Sequence, residues 1–381
     1  MSPRRNFRLY FLSAVLLVAA VTMIAREHSA SFLRPGLHLN AYVATSDGAL
    51  TVVDLVKLSA VAKVQIAPDL SGVREDPTRA EVWGVSPSGG YVWSLNTRSN
   101  QITARISVGP LPYSLDFSRN GNLLYTTSAG SDTLMAINCE SHSIVGRAAT
   151  GRGPVVARVT PDGKTVLVIN RSDASLGIHD AATLALRAAA NVVAQPDDVA
   201  VTPDNAVAFV LSRSAARLSV VDLRSGTLLA NLQLAGKPSQ MLLKPDGGEL
   251  YVLSPESHGL QVINTWTHEV GDYVLLGFSP TVGALTSDAS LLYVADTSPG
   301  RVTPVDIGNR RVTRTGNGVE TLIPVGQSPA AVRFDPAENL LLVVNQGSGD
   351  LSVIRIRSDR PSLLTMIPVG DRPQDLAVKM F

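Results

Sequence analysis

From about Leu39 onward the apolar positions fall into short runs, many of them alternating, separated by turns rich in Gly, Pro, Asp and Asn. Runs of this kind predict β-strands, and no stretch between the turns carries a helical period. The runs recur in a fixed cycle. A proline after a short, usually Gly-containing break marks each cycle at Pro68, Pro112, Pro154, Pro196, Pro238, Pro280, Pro329 and Pro373. The intervals are 44, 42, 42, 42, 42, 49 and 44 residues. Each cycle predicts four strands: an alternating segment after the proline (SLDFS, VARVT), a second run such as LLYTTS from Leu123, a third such as LSVVD from Leu218, and a fourth ending near VG or AG. The first turn is often PDG, as at Pro161, and the third strand ends in Asp or Asn, both suited to tight reversals.

A four-stranded antiparallel sheet that is apolar on both faces cannot stand alone, and periods of 40 to 45 residues point to a β-propeller, in which sheets pack face to face around an axis. The chain opens its repeats with strands two to four, Ala41 to Ile66, and ends on a lone first strand, Gln374 to Phe381. Joining these ends into one blade closes the ring and removes two free sheet edges. The expectation is an all-β propeller of eight blades closed by the C-terminal strand. Seven is the alternative if the degenerate unit Pro68 to Gly109, with EDPTRA in place of PDG, is not a blade; its EVWGV, YVWSLN and ITARI runs argue that it is.

Residues 1–38 read differently. Arg4, Arg5 and Arg8 precede an uncharged run, Leu9 to Ala25, which predicts an export signal or membrane anchor. Length alone does not decide between the two, so residues 39–381 are expected as a single propeller domain outside the cytoplasm, periplasmic or extracellular, either released or tethered. Thirty-three Lys and Arg against 32 Asp and Glu leave a formal charge of +1, so nucleic acid is an unlikely partner and any charged surface is local. The one cysteine, Cys139, excludes an internal disulfide and a cysteine-built metal site, and the six histidines show no metal-ligand spacing. No metal or cofactor is therefore expected.

The pattern G-x-x-P, PDG, LYV-x-N/S and a VID-like third strand resembles the YVTN-repeat β-propellers, which include YncE-like exported proteins and are related to the d-haem domain of cytochrome-cd nitrite reductase. The resemblance implies a propeller fold over residues 39–381. Its repeated residues are scaffold, and the group it points to includes binding proteins, surface-layer proteins, a lactonase branch and haem handlers, so function has to be argued from loops and channel.

Loops between strands two and three, and those linking blades, open on one face around the axis. That mouth is expected to carry Arg152, Arg171, Arg213, Arg217, Lys237 and His258 from three neighbouring units, a basic arc suited to a carboxylate or phosphate, with Asp47, Asp350 and Asp371 opposite. Asp173, Asp197, Asp198 and Glu256 occupy the same loops and are placed to neutralise it. Alternation along the first strands puts Asp116, Arg158, Asp198, Arg333 and Asp375 toward the channel, where mutual salt bridges are the plainer expectation. No G-x-S-x-G or other nucleophile motif is present, and a haem ligand would have to be His258 or a residue the sequence does not mark. Tyr91, Trp93 and Trp83 read as strand packing. The sequence thus favours a ligand- or protein-binding or scaffold propeller over a lactonase-type or d-haem-type enzyme or cofactor handler.

Overall fold

The computed structural model describes residues 38–277, 279–314, 318, 320–356 and 361–381. The run 9–25, and with it the reading of an export signal or anchor, lies outside the described residues. Within them the chain forms thirty-three strands, numbered β1 to β33 in chain order, and no helix. They make eight antiparallel sheets, seven of four strands and one of five. The unit from Pro68 to Gly109 is a full blade, β4 (Ser71–Glu75) to β7 (Gln101–Ser107), which decides for eight over seven. Its EDPTRA segment works as a turn because the buried carboxylate of Asp76 accepts the amides of Thr78 and Arg79 at 2.8 and 2.7 Å, an Asx turn in place of PDG.

The first strands of the blades are β4, β8 (Pro112–Phe117), β12 (Pro154–Val159), β16 (Asp198–Val201), β20 (Gln240–Leu243), β24 (Pro280–Leu285), β29 (Pro329–Phe334) and β33 (Pro373–Met380). Each touches the next around a closed circuit that bounds the axial channel. Closure is made by pairing the chain ends: β1 (Leu39–Thr45) lies antiparallel to β33 in register from Leu39 opposite Met380 to Thr45 opposite Pro373. The amide of Phe381 donates to the carbonyl of His38 at 2.9 Å, and their rings stack 5.5 Å apart.

The core is not one mass but eight layers, one between each pair of adjacent blades. The layer between the second and third blades shows the logic: Trp83, Val85 and Val92 of one sheet meet Leu115, Leu124, Met135 and Ile137 of the next, all buried. Cys139 lies in this layer, where burial pushes its thiol up to about 12. Sheets with two apolar faces are stable only sandwiched in this way.

Seven blades carry a register shift at the same place, between the fourth and fifth residues of the third strand or one residue from it, as at Ala136/Ile137 and Val220/Val221. In the seventh blade the third strand is β26 (Arg301–Asp306), and at that place its outer partner is split into β27 (Arg311–Val312) and β28 (Ile323–Pro324). The insertion between them accounts for the 49-residue interval, and an Arg314–Glu320 bridge crosses it.

Candidate functional site

Polar residues two or four places after three of the marker prolines, Pro112, Pro238 and Pro373, tie first strands to their neighbours. Ser114 Oγ accepts the amide of Ala157 at 3.0 Å, and Asp116 accepts that of Val159 at 2.9 Å. Gln240 takes the amide of Gly283 at 2.7 Å and returns a hydrogen bond to its carbonyl. Asp375 accepts the amide of Val73 at 3.1 Å. First strands are the inner edges of their sheets, so these side chains satisfy backbone donors that no sheet partner reaches.

The arginines of the channel are held differently. Arg158 lies 3.9 Å from Asp116 and 3.6 Å from Asp198, and Arg333 lies 3.9 Å from Asp375. Arg74 reaches the same Asp375 carboxylate at 3.3 Å and donates to the carbonyl of Val73. The structure thus brings Asp116, Arg158 and Asp198 into one group, and Arg74, Arg333 and Asp375 into a second. Burial, with Arg74 and Arg158 facing it, pulls the Arg333 guanidinium below its ordinary range, while Asp375 acts in the opposite sense.

Between these groups lies an axial cavity of about 640 Å³, with Arg74, Glu75, Arg158, Asp198, Gln240 and Arg333 in its wall. Glu75, Val201 and Leu243 end their strands, and Pro161 belongs to the turn after β12, so the cavity sits at the end of the channel where first strands turn into second strands. Arg74, Glu75 and Gln240 were not singled out from sequence. Gln240 stands in the same register as Asp198 and Asp375, two residues after its proline, so a signal for it existed. Arg74 is six residues after Pro68, and the lengthened first segment of that unit hid its alignment with Arg158 and Arg333.

At the opposite end the mouth residues sit at separate blade junctions. Arg152 bonds Asp173, Nε to Oδ1 at 2.6 Å, and that contact together with the Arg152 amide holds the Asp173 carboxyl below the usual range. Arg171 pairs with Asp197, whose other oxygen accepts the amide of Arg213 at 2.8 Å. Lys237 pairs with Glu256 at 3.5 Å and also gives it its amide. Arg217 donates to Gln233 at 3.3 Å within its own blade. His258 occupies the corresponding loop of the sixth blade with φ +61°. On the far side Asp47 binds Lys63 at 3.0 Å, Asp350 accepts from Asn345 at 2.6 Å, and the Asp371 carbonyl accepts from Ser46. Asp197 therefore joins the fourth blade to the fifth, and Asp173 and Glu256 hold the linkers that lead into their own blades.

Among the described residues no three His, Cys, Asp or Glu side chains gather as a metal site. His142 bonds Glu81 at 3.2 Å beside Trp83, and His179 is buried with Nδ1 against the carbonyl of Leu184. Trp83 and Trp93 are fully buried in blade layers.

These features define an eight-bladed β-propeller with ion-paired loops at one end of its channel and an arginine-bearing cavity at the other. A profile of the YNCE-like beta-propeller family matches residues 91–291, more than half the chain, and the chain belongs to that family. No curated protein sequence matches it. Solved structures share the fold at low identity. The dihydro-heme d1 dehydrogenase NirN in complex with DHE is 16% identical with a TM-score of 0.73, covering 91% of this chain and 76% of that one. Apo AztD from Citrobacter koseri is 11% identical with a TM-score of 0.67, covering 90% and 98%. Kuenenia stuttgartiensis hydrazine synthase is 19% identical with a TM-score of 0.60, covering 77% and 98%.

Proposed function

We propose that this protein is an exported ligand-binding propeller whose ligand occupies the axial cavity. The observation that carries the reading is the cavity wall: charged and amide side chains from five different blades converge there, at a volume within the range of small-molecule sites. The basic residues Arg152, Arg171 and Lys237 at the other end are engaged in junction ion pairs, which shifts the weight of the binding reading from the mouth to the axis. Arg4, Arg5 and Arg8 ahead of the uncharged run 9–25 support placement of the propeller outside the cytoplasm, released or tethered.

Thermal melts of the full-length protein against small anionic, cationic, zwitterionic and neutral compounds test the binding claim. Pro161 is exposed at the cavity rim, at the second position of a turn closed by the Gly163 amide on Thr160. Pro161→Trp places a ring over the opening without entering a blade layer. At least one compound should raise the melting temperature, and Pro161→Trp should remove that shift. No stabilising compound, or a shift indifferent to the tryptophan, would refute the reading. Export is checked by fractionating cells that carry the C-terminally tagged chain; recovery only from the soluble cytoplasm counts against it.

A further inference from the structure

We propose that the axial cavity is an oxyanion site, in which Arg158 and Arg333, with Arg74 beside them, hold a phosphate or carboxylate group of a small ligand. This rests on the reading of the cavity as the binding site and names the chemistry it recognises.

The argument starts from donors. A guanidinium carries five N–H groups in a planar fork. Among the described residues neither Arg158 nor Arg333 donates a hydrogen bond to any of them. The Nε of Arg158 is buried without a partner. Their ion-pair separations of 3.6 to 3.9 Å are too long for hydrogen bonds, so charge is balanced while the directional donors stay unused. Their side chains keep 36% and 45% of their surface open, and both line the cavity. The buried Arg158 Nε is closed to a ligand as it is to water, so the donors a ligand oxygen can meet are those on the exposed surface of the two guanidiniums, which water otherwise satisfies.

The neighbouring carboxylates are occupied. Asp116 accepts the amides of Phe117 and Val159, Asp198 that of Val199, and Asp375 those of Leu376 and Val73. These bonds hold the carboxylates to the channel wall beside guanidiniums that line the cavity. Burial is the main pull on the Arg333 guanidinium, and Arg74 and Arg158 add to it against Asp375 and Glu75, so an anion held beside the three guanidiniums offsets a cost the carboxylates do not fully cover. Glu75 is exposed in the same wall and has the sign of the ligand. It opposes an anion, which gives the proposal a test with a sign that a purely structural role does not predict.

Calorimetric titration of the full-length protein with inorganic phosphate and with succinate, in low salt, is the experiment. At least one should bind, with affinity falling as salt rises, because partly exposed charges are screened. Arg333→Met and Arg158→Met should each weaken binding at least ~10-fold, as charge-assisted hydrogen bonds are lost. Glu75→Gln should tighten it. Arg74 remains on Asp375 in Arg333→Met, and melts of each variant show whether it is folded; if one arginine variant is not, the other and Glu75→Gln decide. Which of phosphate and succinate binds identifies the recognised group. Failure of both to bind at millimolar concentration, or equal binding by wild type and the arginine variants, overturns the proposal. A neutral or cationic compound displaced by Pro161→Trp but indifferent to Arg333→Met overturns the oxyanion assignment while leaving the cavity as the binding site.

Discussion

Gly48 sits in the turn between β1 and β2 (Ala49–Asp54) with φ +77°, and a Cβ added there would fall 1.6 Å from the carbonyl oxygen of Ala67. That carbonyl lies where the fourth strand leaves for the next blade, and the amide of Ala67 bonds the carbonyl of Gly48 at 3.2 Å. Backbone meets backbone, so no side chain can move aside. Gly48→Ala should lower stability by more than ~1 kcal/mol, since left-handed strain and a backbone clash add. Chemical denaturation checks it, and an unchanged midpoint would contradict the close approach. Such glycines are visible in the sequence as breaks, but which one faces a carbonyl depends on where the neighbouring loop passes. The same holds for charge. Arg152, Arg171 and Lys237 read as a basic arc with Asp173, Asp197 and Glu256 in the same loops, and only the structure shows which of them meet at contact distance.

The turns between strands are built from a small set of side-chain bonds. In three first turns a threonine hydroxyl donates to an aspartate two residues on, Thr160 to Asp162, Thr202 to Asp204 and Thr286 to Asp288, and Thr45 to Asp47 repeats the bond between the second and third strands of the first blade. In the last turn Asp54, Asp180, Asp222 and Asp306 cap the amides that follow them. These bonds favour the ionised carboxylates and hold them below the usual range. A carboxyl depressed in the folded state stabilises fully above its unfolded value, ~3.9, and the contribution is lost as pH falls through the folded value. Melting temperature should therefore be flat from about pH 6 to 8 and fall progressively below about pH 4. An acid limb that begins near neutrality would mean that other groups dominate. The Asp or Asn at the end of seven third strands was legible as turn chemistry; the eighth blade's ends in Arg355. The long interval in the seventh unit was legible only as a length, because a splayed outer strand and a longer loop have the same sequence signature.

Closure of the ring concerns the whole molecule. Removing Pro373 to Phe381 takes away the inner strand of the first blade and its pairing from Leu39 to Thr45, uncovering one edge of β1 and part of two blade layers. Leu376, Ala377 and Val378 leave those layers with it. Burying one such aliphatic side chain is worth about 1.5–3 kcal/mol, so the loss is of the size of a domain's net stability. The truncated chain should aggregate or melt far below the full-length protein, measured by soluble yield and scanning calorimetry; equal solubility and heat resistance would refute closure by the C-terminal strand. The repeat period, the binary pattern and the turn residues determined the blade and the pairing of the two ends and narrowed the blade number to eight or seven, because the strand cycle is a local regularity written again and again. The eight-layered core follows from sheets that are apolar on both faces. Tertiary structure alone decided where along the channel the arginine-lined cavity sits. Whether Arg74, Arg158 and Arg333 meet depends on strand tilt, on the register of each first strand and on which carboxylates the backbone amides of the next blade have already taken, none of which is a property of any single repeat.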